Sequence, residues 1–269
     1  MADITAAMVK SFREKTGLPM MECKKALVEA NGDEELAIDL LRKAGKKTME
    51  KRSDRETGAG RIAVYTAPNG TTAMIELLCE SAPVANTAEF IKLVGDLTKQ
   101  LAEGPGAATP DDLLNQGSLR QEYDDLVNKI REVFRLNKIL RVETKNGSYV
   151  HHNNGIGVVI EYEGDNEELA HNICMQVAAM NPKAVSQAEL DPEFVAKERE
   201  IAIEQTKNKN AGKPENIIEK IVEGRMKTIL AEVCLLDQEY FMDSSKTVGQ
   251  AAAEGGIKVN KMYHWVLGK

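Results

Sequence analysis

"NGTTAMIE", residues 69–76, and "NGIGVVIE", residues 154–161, open on the same Asn-Gly pair and close on the same Ile-Glu pair. Arg61-Ile62-Ala63-Val64-Tyr65 precedes the first Asn-Gly, and Ala73 to Leu78 follows it. Ser148-Tyr149-Val150 precedes the second, and Val158 to Tyr162 follows it. Apolar, β-branched runs on both sides of Asn-Gly signal an antiparallel hairpin, because both turn residues tolerate positive φ. Each hairpin then passes into an apolar helix. The first carries Phe90, Ile91, Val94, Leu97 and Leu101; the second carries Leu169, Ile173, Val177 and Met180. Two such units predict an internally duplicated hairpin-plus-helix core, α+β in class, with antiparallel sheets.

Working outward, the first fifty residues read as three helices. The first runs from about Thr5 to Lys15 with Met8, Val9 and Phe12 inward, and Gly17 supplies a left-handed stop. Pro19 suits the first turn of the second helix, whose Met20, Cys23, Leu27 and Ala30 form its buried stripe. Asp33 caps the third, in which Leu36, Ala37, Leu40, Leu41 and Ala44 make a broad apolar face and Gly45 closes the helix. Residues 46–58 form a charged, partly helical linker. Between the copies, Asp111 to Phe134 reads as helical and Lys138 to Val142 as a strand. Asp191-Pro192 opens a charged helix to about Lys207, and Pro214 opens another to about Val233 with Ile218, Val222, Met226 and Ile229 at helical spacing. Joined by "KNKNAGK", they predict an antiparallel helical hairpin over about 191–233, protruding from the body. The "VNKMYHWVLGK" segment returns to strand-like alternation. The expected domains are 1–45, 59–140 and 141–269.

The chain of 269 residues is 42% apolar and 29% charged, enough to build a core. A net charge of −7 argues against a protein devoted to nucleic acid, since phosphate binding needs excess Lys and Arg. The N-terminus lacks a secretion-signal pattern, and no stretch approaches the ~20 apolar residues that cross a bilayer. Cys23, Cys79, Cys174 and Cys234 form no CxxC pair, so neither a disulfide framework nor a zinc site is indicated. A cytoplasmic location is the expectation. His151-His152, as adjacent strand residues, should face opposite ways and so share no metal; His171 and His264 have no evident partners. "GAGR", residues 58–61, lacks the strand that a phosphate-binding loop requires. No cofactor, no metal and no enzyme activity are expected.

Met21 lies about 100° round its helix from Met20, beside Lys24 and Lys25. A flexible thioether next to the "TGLP" loop suits either adhesion to a partner protein or cover for a neighbouring segment. "TGLPMMECKKALVEANGDEELAIDLLRKAG", residues 16–45, resembles the opening of bacterial elongation factor Ts, where the module is ubiquitin-associated-like. "GKPENIIEKIVEGRMK", residues 212–227, with "LLDQEYFMDSSKTVGQ", residues 235–250, looks like that family's signature around its coiled-coil hairpin. "MQVAAMNPKAV", residues 175–185, also resembles a family segment. The resemblance implies guanine-nucleotide exchange on elongation factor Tu, with neither nucleic acid nor membrane as a direct partner. It implies that Thr16, Gly17, Leu18, Pro19, Met20 and Met21 dock on that partner's nucleotide domain. It also implies that the helical hairpin and second core copy hold the partner's other domains. A C-terminal helix found in longer relatives is expected to be absent.

In relatives, a Thr-Asp-Phe-Val loop after the second strand supplies an aromatic wedge and an acid that disturb the partner's Mg²⁺ and phosphate site. Here that place reads Ser81-Ala82-Pro83-Val84, within "LLCESAPVANTAEF", residues 77–90. Pro83 replaces the wedge and Ala82 the acid. A second departure is Gln176, a second-core contact position where some relatives have histidine. These substitutions leave open a paralogue that binds elongation factor Tu without efficient exchange. A small-molecule enzyme that reuses the fold, and a plain strand-to-helix turn at 81–84, are the other readings.

Overall fold

The computed structural model describes residues 4–52, 54–210 and 214–269, without the side chains of 46 and 48–50. The chain divides into two compact units, one of residues up to Arg141 together with Val266–Lys269, the other of Val142–Trp265.

In the first unit, α1 (Ala6–Thr16) starts under Thr5, whose hydroxyl accepts from the Met8 N–H at 3.3 Å. It stops at Gly17, where φ is +68°, a left-handed conformation that glycine adopts without steric cost. Pro19 stands one place before α2 (Met20–Glu29) rather than inside its first turn. The buried stripe of α2 is Cys23, Ala26, Leu27 and Ala30. Met20, expected in that stripe, is exposed, because Leu18 from the preceding loop closes that end of the core. Asp33 caps α3 (Glu34–Glu50), accepting from the Leu36 N–H at 3.0 Å. The apolar face of α3 is narrower than expected: Ala37 and Leu41 are buried, whereas Leu36 and Ala44 are exposed. Gly45 does not end the helix; α3 continues through it into the charged segment. A Cβ at Gly45 would lie 2.2 Å from the Asn128 Oδ1, so its use is close packing.

β1 (Ala59–Thr66) and β2 (Thr72–Cys79) pair antiparallel from Ala59↔Cys79 to Thr66↔Thr72. Their turn is closed by the Gly70 N–H donating to the Ala67 carbonyl at 2.9 Å, with Gly70 at φ +88°. Next come the short α4 (Ala82–Ala85) and α5 (Ala88–Glu103). The single helix expected over 111–134 is two, α6 (Pro110–Leu114) and α7 (Leu119–Ile130). Gly117, at φ +56°, breaks the run between them. β3 (Arg135–Val142) completes a sheet of order β1-β2-β3. Every residue of β2 is buried. Its Ile75 and Leu77 pack with Phe90, Leu97 and Leu101 of α5, and Phe90 meets Phe134 edge-on at 5.1 Å. Ile91, in the same apolar run, is exposed, since 90, 94, 97 and 101 already fill one helical face. The strand Glu76 is wholly buried and accepts from the Asn137 amide at 2.5 Å and the Gly268 N–H at 2.8 Å.

The second unit repeats the plan. β4 (Asn146–Val150) and β5 (Ile156–Glu163) form an antiparallel pair, and α8 (Glu167–Met180) packs on them. Ile173 and Val177 are buried as expected; Met180, on the last turn of α8, is exposed. Asp191 caps α9 (Pro192–Lys209), which packs on α10 (Glu215–Val233) through Ala202, Val222 and Met226. Part of their join, residues 211–213, lies outside the described residues. β6 (Glu239–Tyr240) and β7 (Asp243–Thr247) form a small antiparallel pair, followed by α11 (Val248–Glu254) and β8 (Lys258–Val266). The sheet order is β4-β5-β8, so each hairpin's second strand is central in its sheet, as in β1-β2-β3. His151 and His152 fall in the turn after β4, with rings 4.2 Å apart, so the strand alternation expected to separate them does not apply. Among the described residues no group of three or more metal-ligating side chains converges, and no helix is long and apolar enough to cross a membrane.

Candidate partner-binding surface

The segments singled out in the sequence, 16–21 and 81–84, are tied to one corner of the first unit, where α7 hands over to β3: Glu22, next to the first, pairs with Arg131, and Ser81 of the second bonds to Glu132. The Thr16 hydroxyl donates to the Phe12 carbonyl at 2.9 Å and accepts from the Leu18 N–H at 3.4 Å, which fixes the loop before α2. Leu18 is buried and so anchors the loop instead of offering contact area. Gly17, Pro19, Met20 and Met21 are exposed, Met20 at 48% and Met21 at 74%. Two adjacent thioethers left in water on the first turn of α2, beside this pinned loop, form an adaptable apolar surface.

Residues 81–84 are a rigid turn of helix. The Ser81 N–H and hydroxyl both donate to the Glu132 carboxylate, at 3.0 and 2.6 Å. At the other end of α4, Arg61 Nη1 donates to the Ala85 carbonyl at 3.2 Å and to Asn86 Oδ1 at 3.0 Å. Val84 packs on the core beneath, while Ala82 and Pro83 face solvent. Thr87 caps the next helix, accepting from the Phe90 N–H at 3.3 Å.

The corner itself is Arg131-Glu132-Val133. Arg131 ends α7 in the left-handed region, φ +67°, and its guanidinium pairs with Glu22, the residue after Met21. Its carbonyl accepts from Arg52 Nη1 at 2.9 Å. The Val133 N–H donates to Glu80 at 2.8 Å, and Arg55 pairs with the other oxygen of that carboxylate at 2.9 Å. The Val133 amide and Arg55 hold the Glu80 carboxyl below its ordinary range. Burial pushes the Cys79 thiol up to about 11, so it stays neutral and donates to the Ser81 carbonyl at 3.3 Å. None of Glu22, Glu80, Arg131 or Glu132 was singled out in the sequence. Their partners lie 51 to 109 residues away in the tightest cases, and no local pattern encodes that.

Gln176, expected as a contact residue, is wholly buried. Its Nε2 donates to Gln238 Oε1 at 3.2 Å and to the Glu239 carbonyl at 3.1 Å, and its Oε1 accepts from the Phe241 N–H at 3.0 Å. It therefore positions Phe241 and Met242, both exposed, and presents no surface of its own.

Fold and surface together define a two-copy α+β protein with a three-helix module, in which polar contacts are spent on holding two exposed segments at one corner. The sequence pattern of the family described as Elongation factor TS matches residues 83–269. Elongation factor Ts of Thioalkalivibrio sulfidiphilus is 38% identical, covering 99% of this chain and 92% of the relative. That of Hahella chejuensis is 38% identical over 100% and 93%, and that of Sodalis glossinidius 39% over 100% and 93%. The chain belongs to the elongation factor Ts family and is a translation elongation factor.

Proposed function

We propose that the protein promotes GDP release from elongation factor Tu by binding its nucleotide-free state more tightly than its GDP-bound state. Reciprocity of linkage then requires GDP to bind less tightly whenever this protein is engaged. A preference by a factor α lowers GDP affinity by the same α, with no covalent step. The observation that carries the reading is the convergence of exposed Met20–Met21 and exposed Ala82–Pro83 on one buttressed corner. The three-helix module, residues 1–45, and the two core copies, residues 59–140 and 141–269, act as the gripping parts, in the cytoplasm.

The test is release of fluorescent GDP from elongation factor Tu with and without this protein. Acceleration that saturates with concentration is expected; binding with no acceleration would assign the chain to partner-holding without exchange. That second reading draws on one observation, the small ring of Pro83 and the methyl of Ala82 at the tip of α4. Pro83→Phe enlarges the tip and is expected to raise the release rate. An unchanged rate would show that this tip does not act as a wedge.

A further inference from the structure

We propose that Arg131 and Glu132 form a clasp that joins Met20–Met21 and Ala82–Pro83 into a single docking surface, a role that rests on the exchange reading above. The left-handed position at the end of a helix favours glycine, because a Cβ there crowds the backbone. Arg131 occupies it at φ +67°. Its side chain reaches Glu22 at the start of α2, while its carbonyl takes Arg52, just beyond α3. One residue thus holds the start of α2 and the segment that follows α3. The next residue, Glu132, closes on Ser81 and fixes the first turn of α4. The two grips start from adjacent residues of one backbone turn, so α2 and α4 are referred to the same short stretch of chain.

The rest of the joint adds further polar contacts between the module and α7. The module's apolar core, around Phe12 and Leu27, is separate from that of the first copy, around Phe90 and Leu97. Among the contacts that join them besides the clasp are Arg42 on Asp125, at 2.7 and 2.8 Å, the Asn128 amide on the Leu41 carbonyl at 3.3 Å, and the close approach of Gly45 to Asn128. Clefts of about 440 and 220 Å³ flank this contact. Pre-setting two binding segments at a fixed separation turns the second contact into an intramolecular event.

The experiment uses the full chain and has two readouts. Spin labels at Lys24→Cys and Ala82→Cys, both exposed sites, report the separation of α2 and α4 without any partner. A narrow distance distribution in the parent and a broad one in Arg131→Gly are expected. Thermal unfolding of Arg131→Gly should be no lower than the parent, since glycine suits that backbone, which shows the fold intact. Without spin labels, Arg131→Gly and Glu22→Gln should each slow GDP release about tenfold at subsaturating concentration, and the double variant should be no slower than either. A distribution equally narrow in Arg131→Gly overturns the clasp, as does a broad one with unchanged release. A parent that does not accelerate release removes the exchange reading instead, and the distance distribution alone then decides whether the clasp exists.

Discussion

Between β2 and α5 the first copy uses residues 80–87 and folds part of them into an exposed helical turn; between β5 and α8 the second copy uses residues 164–166 alone. The second joint is a tight turn. Gly164 sits at φ +104°, where a Cβ would fall 2.1 Å from the Gly256 carbonyl oxygen. Asn166 caps α8 by accepting from the Leu169 N–H at 3.1 Å, and its own amide donates to the Gly255 carbonyl at 3.4 Å. What that joint presents to solvent is the fully exposed Asp165, a charged side chain paired with Lys145, where the first presents Ala82 and Pro83 on a helical turn. The copies share their strands and packing helix, and differ in what is inserted at matching joints. Scaffold positions answer to stability and joints to recognition. The comparison can be broken or sharpened by substitution.

The largest effects belong to the shared scaffold. Phe90→Ala should destabilise the first unit by about 3–5 kcal/mol, and Ile173→Ala the second by about 2–5 kcal/mol, as large-to-small changes at fully buried sites. Denaturant unfolding followed by amide exchange in β2 and β5 measures both. Near-equal, large losses support two equivalent cores. A loss under 1 kcal/mol at either site would mean that copy is not held by the packing described.

Smaller effects separate the joints. Glu132→Ala leaves the Ser81 N–H and hydroxyl without their acceptor, a part-buried loss of about 1–3 kcal/mol. Asn166→Ala removes a helix cap and a long amide bond to the Gly255 carbonyl, about 1–2 kcal/mol. The sharper contrast is functional. Glu132→Ala is expected to slow GDP release at matched folded fraction, and Asn166→Ala to leave it unchanged. Equal effects on release would erase the distinction between the two joints.

Much of the scaffold was legible because its signals are local. Asn69-Gly70 and Asn154-Gly155 each mark a hairpin within a few residues, and Thr5, Asp33, Thr87 and Asp191 each cap the helix that follows. What could not be read is set by distant neighbours. Met20 and Leu18 exchange burial because the loop, not the helix, closes the module's core. Apolar character alone does not separate Ile91 and Met180 from their buried neighbours, and both face water once the other positions fill the core. Gln176 reads as a surface amide until Gln238, Glu239 and Phe241 enclose it. The exposed segments came from resemblance, residue by residue; the corner that unites them came only with the fold.

Acid tests the first joint more gently. The Glu80 carboxyl is held below its ordinary value of 4.5, chiefly by the Val133 amide and then by Arg55. A depressed carboxylate contributes stability that is fully present above the unfolded value and lost as pH falls through the folded one. Exchange of the Val133 amide should therefore be steady from neutrality down to about 4.5 and quicken below it, beyond the intrinsic trend. Glu80→Gln should flatten that response. The Glu161 carboxyl of the second copy is also lowered, by the Thr144 and Tyr263 hydroxyls, so acid weakens both units. Only in the first does it loosen the joint that presents α4.

The smallest effect concerns what the first copy carries and the second lacks, a helical module seated on α7. Gly45→Ala improves helix propensity in α3 by about 0.5–1 kcal/mol. The new methyl meets Asn128 Oδ1, the far end of a side chain that can turn away at the expense of its bond to the Leu41 carbonyl. That bond is worth about 0.5–1.5 kcal/mol, so the two terms offset and the net change should stay within about 0.5 kcal/mol. In an Asn128→Ala background the obstacle is gone, and Gly45→Ala should stabilise by about 0.5–1 kcal/mol in thermal unfolding. If Gly45→Ala costs several kcal/mol in both backgrounds, backbone rather than a movable amide opposes the methyl. The module would then be seated on α7 more tightly than its ion pairs and flanking clefts imply, and the clasp at Arg131 would have less to hold.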